Sequence, residues 1–440
     1  MTTATQAAKQ PAPRWGWTFF PIWTGQALSW VGSAIAQFAL VWWLTDLTGS
    51  AAVLATATTV AMLPQIILGP LAGAYVDRWN RRLVMIVADG FIALLSFWLA
   101  WLFWQGSLQI WHVYVIMVGR ALGGIFHHPA MHASTTMMVP KAQLSRVQGL
   151  NQALGGAVNV IGPPLGALAL ALLALHQVMF IDVVTAIIAI VPLLFVRIPE
   201  PEHKPTGVGA KAVVGDMLDG LRYVRGFPGM LAVIGVAIGL NFLGAPIWTL
   251  LPLYVRNVFD GGAAGLSMVQ SAFGIGLITG GLILSAWGGL RSRVTTAFGA
   301  FALMSLAVVG MGGAPSTALW AVAVGWFVFA FFSAIGNGTF AALLQGAVAP
   351  EMQGRVSSAV QSGVMLAIPL GLALSTPVVE RFGLRSWYLA SGAMTTLICL
   401  WALTSRAVRR IDEVVIPGED KGAEPAHEHA AMVGEPVVES

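Results

Sequence analysis

The chain has 440 residues, of which 57% are hydrophobic and 10% charged, with a formal net charge of +4. A soluble domain carries about 25% charged residues, so this composition cannot cover a water-facing surface and points to a bilayer, whose lipid tails solvate apolar side chains. The basic residues are scattered between apolar blocks, which excludes a nucleic-acid surface, and the single cysteine, Cys399, excludes an intramolecular disulfide and any cysteine-rich metal or redox site.

Met1 to Arg14 is polar and runs straight into a long apolar block with no short h-region or cleavage site, so the block reads as a first membrane helix. Apolar stretches of about 20 residues, each able to cross roughly 30 Å of hydrocarbon, then recur. Six are expected in the first half of the chain: Trp17–Leu44, Ala51–Tyr75, Leu83–Trp104, Ile110–Met138, Val147–Leu175 and Val178–Val196. The segment Arg197 to Phe227 breaks the pattern with Pro199, Pro201, Pro205, glycines and basic residues, and its part Gly215–Val224 suits a short surface helix. Six more spans follow at Met230–Tyr254, Leu266–Trp287, Val294–Met311, Thr317–Ala347, Val356–Val379 and Ser386–Thr404. The expected division is a six-helix half over 15–198, a linker over 199–227, a second six-helix half over 228–410 and a disordered acidic tail over 411–440.

With the N-terminus inside, nearly all of the 23 Lys and Arg residues fall on the cytoplasmic face. Only Arg256, Arg381 and Arg385 fall outside, and Arg120 lies within a span. Both termini are therefore expected in the cytoplasm. The halves also repeat: Val139-Pro140-Lys141 and Ser145-Arg146-Val147 correspond to Ala349-Pro350-Glu351 and Gly354-Arg355-Val356. Duplicated halves around a midplane site are the architecture of secondary transporters.

The loop after the second span reads Gly69-Pro-Leu-Ala-Gly73-Ala-Tyr-Val-Asp77-Arg78-Trp-Asn-Arg81-Arg82. Gly69 and Gly73, four apart, give a smooth helix face for close packing. Asp77 is placed to meet the N-terminus of a neighbouring helix and a nearby Arg. The motif resembles the cytoplasmic signature of the major facilitator superfamily. That resemblance implies a twelve-helix bundle of two pseudo-symmetric halves, with the neighbour of Asp77 being the eleventh span near Gly354. The corresponding loop Gly280 to Arg293 departs from the pattern, with Gly288 and Gly289 where Asp and Arg would stand.

Arg120-Ala-Leu-Gly-Gly124 in the fourth span resembles the intramembrane Arg motif of the superfamily's drug:proton antiporters. A charge there costs about 2.5–3.5 kcal/mol on insertion scales, so a functional role is the default expectation. Gly149, Gly162, Pro163 and Gly166 of the fifth span resemble the antiporter motif, with Val158 departing from it; Pro and Gly there favour a kink. Gly25-Gln26-Ala-Leu-Ser29-Trp-Val-Gly32-Ser33, Trp42-Trp43-Leu44-Thr45, Thr48-Gly49-Ser50 and Leu63-Pro64-Gln65 extend the resemblance to the macrolide-efflux branch. That branch also holds siderophore exporters and lysophospholipid transporters.

Two further carboxylates lie within spans. Asp89 shares a helix face with Ala93, Ser96 and Ala100, and Asp182 with Thr185, Ala186 and Ala189, so both are expected to face protein. Burial holds a proton on a carboxyl and a neighbouring guanidinium drives it off. Asp89, Asp182 and Arg120 are therefore the expected proton-coupling residues, and Arg120 and Asp182 lie at comparable depth. Gln26, Trp30, Ser33 and Gln37 share a face of the first span, and Arg120 and His127 one of the fourth. Together with Asn241, Trp248, Trp326 and Asn337 they are expected to line a cavity for a bulky, partly apolar compound.

His127, His128 and His132 lack an accompanying carboxylate or Cys on their helix, so no metal site is expected. No Walker loop, nucleophile–base pair or dinucleotide turn is present. No cofactor or enzyme activity is therefore expected, and an ion gradient remains as the energy source. The expectation is a monomeric multi-pass protein of a bacterial-type cell (inner) membrane, exporting amphipathic small molecules, macrolide-type drugs first, against proton influx. A siderophore or lysophospholipid exporter is the alternative, and a non-transporting membrane sensor the reading from another class.

Overall fold

The computed structural model describes residues 15–76, 78–196, 198, 210–226 and 228–415. Among them every regular element is helical. The first half holds α1 (Trp15–Thr48), α2 (Ala51–Val76), α3 (Arg81–Trp104), α4 (Ile110–Met138), α5 (Leu144–Leu172) and α6 (Leu175–Phe195). After the linker helix α7 (Ala210–Arg225) come α8 (Pro228–Thr249), α9 (Leu251–Phe259), α10 (Ala263–Trp287), α11 (Arg293–Gly313), α12 (Leu319–Ala347), α13 (Pro350–Phe382), α14 (Leu384–Thr404) and α15 (Arg406–Val415). Twelve of these are long and apolar enough to cross a membrane.

The helix ends follow local chemistry. Asn80 accepts a hydrogen bond from the Leu83 amide at 2.9 Å and opens α3, and Ser292 accepts one from Thr295 at 2.9 Å and opens α11. Gly288 closes α10 in a left-handed conformation (φ 76°) that a β-carbon would resist.

The two halves pack alike. In the first, α1 lies against α5 and α6, α2 against α4, and α3 against α4 and α6; in the second, α8 lies against α13 and α14, α10 against α12, and α11 against α12 and α14. The repeats exchange partners at their junction, where α5 runs along α10 and α2 along α13.

The halves are joined at one face and parted at the other. On the face opposite the linker, a single apolar core draws Leu40, Leu44 and Leu54 from the first half and Leu250, Tyr254 and Leu266 from the second. Toward the linker face the cores separate. Phe19, Val76, Met85 and Leu193 pack within the first half. Val233, Phe298 and Leu343, and separately Val224, Val348 and Val356, pack within the second. The apolar core is therefore shared by the two halves at the far face and divided among separate clusters toward the linker.

Three expectations are corrected. The seventh span, expected unbroken over Met230–Tyr254, divides into α8 and α9 at Leu250 (φ −91°, ψ 0°). Pro252, in the first turn of α9, has no amide hydrogen to continue the α8 ladder, and its ring crowds the carbonyl one turn back. The linker helix is longer than the expected Gly215–Val224, running Ala210–Arg225, and its Val224 docks into the core with Met230 and Val356. The ordered chain also continues past 410. Val408 and Ile411 of α15 are buried against α8 and α11, and Asp412 accepts from the Val294 amide (3.1 Å) and the Ser292 hydroxyl (2.5 Å) at the α11 N-terminus. Residues 1–14, Asp77, Arg197, residues 199–209, Phe227 and the tail from 416 lie outside the described residues.

Candidate functional site

Four helices converge on the Asp182 carboxylate. Asp182 on α6 is 1% exposed. Ser33 of α1 donates to Oδ1 at 2.6 Å, and Ser96 of α3 donates to Oδ2 at 2.6 Å. Arg120 of α4 donates to Oδ2 and also to the Ser96 hydroxyl at 2.6 Å. A buried carboxylate is tolerable only when paired and hydrogen-bonded, and this one has both. The approach of α1 to α6 depends on Gly32, where a β-carbon would run into the Thr185 side chain. Ser33, the next residue, thereby reaches Asp182.

The second carboxylate is held less completely. Asp89 on α3 is 5% exposed. Gln26 donates to its Oδ2 at 2.7 Å. His127 Nε2 stands 3.2 Å from Oδ1, within ion-pairing distance, yet it is buried and off the angle of a hydrogen bond. Both carboxylates face protein, as the small-residue stripes predicted.

A cavity of about 460 Å³ lies within the first half, bordered by Gln26, Trp30, Ser33, Asp89, Arg120 and His127. Asp182 stands behind it, covered by its partners. A second cavity of about 460 Å³ lies between the halves, bordered by Trp30, Gln37, Met62, Pro163, Trp248, Gln270 and Phe273. Trp30 borders both. Of the polar face expected of α1, Gln26, Trp30 and Ser33 border the first cavity, and Trp30 and Gln37 the second.

The remaining cavity candidates lie elsewhere. Trp326 is fully buried behind the second cavity, with its ring 5.1 Å from Trp248 and 5.7 Å from Phe273. Asn241 donates to the Ala237 carbonyl (2.9 Å) and Asn337 to the Ser333 carbonyl (2.9 Å), and neither borders the two cavities. These amides answer their own helix backbones.

The glycines expected to matter in α5 differ in use. A β-carbon at Gly166 would stand 2.7 Å from the Phe38 ring and one at Gly162 3.2 Å from Ala34, so both bring α5 onto α1; Gly149 faces open space. In the loop motif, Asp77 lies outside the described residues, as do the surroundings of Gly73. A β-carbon at Gly69 would meet the Gln65 side chain, one turn back, and Arg78 is exposed. Arg81 donates to the Ala133 carbonyl of α4 at 3.2 Å, and Arg82 to the carbonyls of Leu193 and Leu194 at the end of α6. The second half repeats this economy: Arg293 reaches Ala342 of α12 at 3.0 Å, and Arg409 reaches Leu403 at the end of α14 at 2.7 Å.

Sequence reasoning missed the α5 wall of the first cavity, Gln148, Asn151 and Gln152, which their spacing on one helix face offered. It also missed the contact of Trp23 Nε1 with Asn151 (2.8 Å) and that of Asp46 with Arg256, two charges that fall at span ends.

The profile of the Major Facilitator Superfamily matches residues 22–372. The chain is 32% identical over 321 residues to macrolide efflux protein A of Streptococcus pyogenes, covering 73% of this chain and 77% of that one. It is 31% identical over 287 residues to macrolide efflux protein A of Enterococcus faecalis, covering 65% and 86%. Its fold matches a crystal structure of the nucleoside transporter NupG with a TM-score of 0.67, at 12% identity over 86% of this chain and 98% of that one. The duplicated bundle, the loop motif and these matches agree: the chain belongs to the Major Facilitator Superfamily.

Proposed function

We propose that this transporter exports bulky amphipathic compounds, macrolide-type drugs first, by alternating access coupled to proton influx. The substrate class comes from the macrolide efflux proteins to which the chain is similar. The linker face is taken as cytoplasmic because it gathers the basic residues. In this reading the substrate loads from the linker face, where the apolar cores of the two halves are separate.

The observation that carries the coupling is the buried Arg120–Asp182 pair, with its Ser33 and Ser96 partners on two further helices. A proton on Asp182 removes the charge that holds Arg120 and weakens the join between α4 and α6. Alternating access requires an element whose equilibrium the ligand and the proton both bias. Arg120 borders the substrate cavity and so belongs to both. Asp89 is the second carboxylate of the same half in this reading.

Growth of a pump-deleted host expressing the chain, across an antibiotic panel, tests the substrate class. Raised tolerance to at least one macrolide or comparably bulky lipophilic drug is expected. No shift on a wide panel, together with movement of a siderophore or lysophospholipid, would give the function to that alternative. Dye retention unchanged by expression, with and without a protonophore, would favour a sensor.

A further inference from the structure

We propose that Asp412 and Arg409 of α15 are positioning residues of the transport cycle. From beyond the last span they supply the carboxylate and the second guanidinium that the loop between α10 and α11 lacks, and so make the linker-face end of the second half move as one body. The inference rests on the reading of transport as alternating access.

The first half ties this end from its own loop. Asn80 caps α3, Arg81 donates to Ala133 of α4, and Arg82 donates to Leu193 and Leu194 in the last turn of α6. Carbonyls in a last helical turn have no partner further along the helix, and a guanidinium can answer them. Counted from the helix caps, Ser292, Arg293 and Val294 stand in the second half where Asn80, Arg81 and Arg82 stand in the first. Ser292 caps α11, and Arg293 donates to Ala342, which lies as far from the C-cap of α12 as Ala133 does from that of α4. Val294 brings no guanidinium, and no carboxylate stands between Gly288 and Arg293.

Both missing groups come from α15. Arg409 Nε donates to the Leu403 carbonyl in the last turn of α14 at 2.7 Å, the place that Arg82 takes on α6. Asp412 accepts from the Ser292 hydroxyl at 2.5 Å and the Val294 amide at 3.1 Å, which sets its charge at the positive end of α11. The apolar side of α15 seats the two. Val408 and Ile411 are buried among Val233 of α8, Phe298 of α11, Leu343 of α12 and Cys399 of α14. A β-carbon at Gly229 would strike the Ala407 carbonyl, so the start of α8 also lies directly against α15. One short helix thus joins the ends of four spans of the second half. After α6 the chain passes instead to α7, which lies on α13 of the second half.

Rocking transport needs each half to move as a rigid body. Were the ends of α8, α11, α12 and α14 free to shift separately, movement at the linker face would be absorbed there and not passed to the far face. Asp412 and Arg409 border neither cavity, so their effect falls on the rate of the cycle and not on substrate binding.

The test uses the purified full chain in lipid nanodiscs, spin-labelled in two pairs. Arg291→Cys with Thr404→Cys spans the linker-face end of the second half, and Lys141→Cys with Phe195→Cys that of the first; all four sites are exposed. Cys399 is buried and stays native because it belongs to the α15 seat. Asp412→Ala and Arg409→Gln should each broaden the second-half distance distribution and leave the first-half one as in the parent, while Asp412→Glu should keep both. In proteoliposomes with an imposed pH gradient, Asp412→Ala should lower the maximal rate of radiolabelled erythromycin transport about fivefold, the weight of one charge at a helix end, with KM unchanged. Asp412→Glu should restore the rate. A second-half distribution unchanged in Asp412→Ala and Arg409→Gln would overturn the strap, and so would broadening of both pairs, which marks general loosening. Broadening of the second-half pair at the parent rate would overturn its part in transport. A parent chain that moves no erythromycin would contradict the proposed function, and the spin-label pairs would still decide the strap.

Discussion

Arg256 of α9 donates Nε to Asp46 Oδ1 at 3.0 Å and Nη2 to the Asp46 carbonyl at 2.9 Å, fastening the far ends of the two halves to each other. Asp46 lies in the last turn of α1, and Gly49 (φ 57°) turns the chain beside the guanidinium. Arg256 is one of the few basic residues on this face. With the apolar core beneath it, the pair joins the two halves at the face opposite the linker.

Arg256→Ala should loosen that closure. The side chains are 35% and 63% exposed, and exposed pairs are worth about 0–1 kcal/mol, so the shift toward the outward-open state should be at most about fivefold. Spin-label distances across the far face should report it. An unchanged distribution would mean that the apolar core alone holds the face shut.

Asp77→Asn is expected to insert normally and transport poorly, because the resemblance gives Asp77 the closing contact with the N-terminal end of α13. The packing of α2 along α13 places the two elements side by side. Export at the parent rate with normal expression would contradict this role.

Orientation has its own check. Arg222 on α7 is 78% exposed, and Cys399 is buried. In a Cys399→Ala background, Arg222→Cys should resist impermeant thiol reagents in whole cells and react in inverted vesicles. Strong labelling of whole cells would reverse the topology.

Close helix approach can be probed at Gly371. A β-carbon there would strike the Phe242 carbonyl of α8, which is backbone and cannot step aside. Gly371→Ala should destabilise the bundle by about 1–3 kcal/mol, seen as a lower unfolding midpoint in detergent. Gly235→Ala, with nothing within 4 Å of the added carbon, should leave the midpoint in place.

The twelve spans, the duplicated halves and the inward-facing carboxylates were legible because each depends on hydropathy or on a small-residue stripe within one helix. The Arg120–Asp182 pair was legible as well, since two opposite charges at like depth within one half have few other partners. The break at Leu250 was not, because Pro252 sits in an apolar run and proline is common inside membrane helices. Nor was the burial of Trp326. Trp248 and Trp326 read alike as cavity aromatics, and only the rotation of α12 against α8 and α10 decides that one borders space while the other fills the wall. In α15, charged residues outweighed the pair Val408 and Ile411, whose spacing marks one buried helix face.

Coupling through the first half is the central claim, and transport in proteoliposomes tests it most directly. With an imposed pH gradient, the parent protein should concentrate a labelled macrolide, and a protonophore should abolish that accumulation. Asp182→Asn and Asp89→Asn should each fail to concentrate it, while downhill counterflow remains measurable at least for Asp182→Asn. If both neutralised variants still accumulate the drug at a rate that follows the proton gradient, coupling does not reside in these carboxylates and the account is wrong.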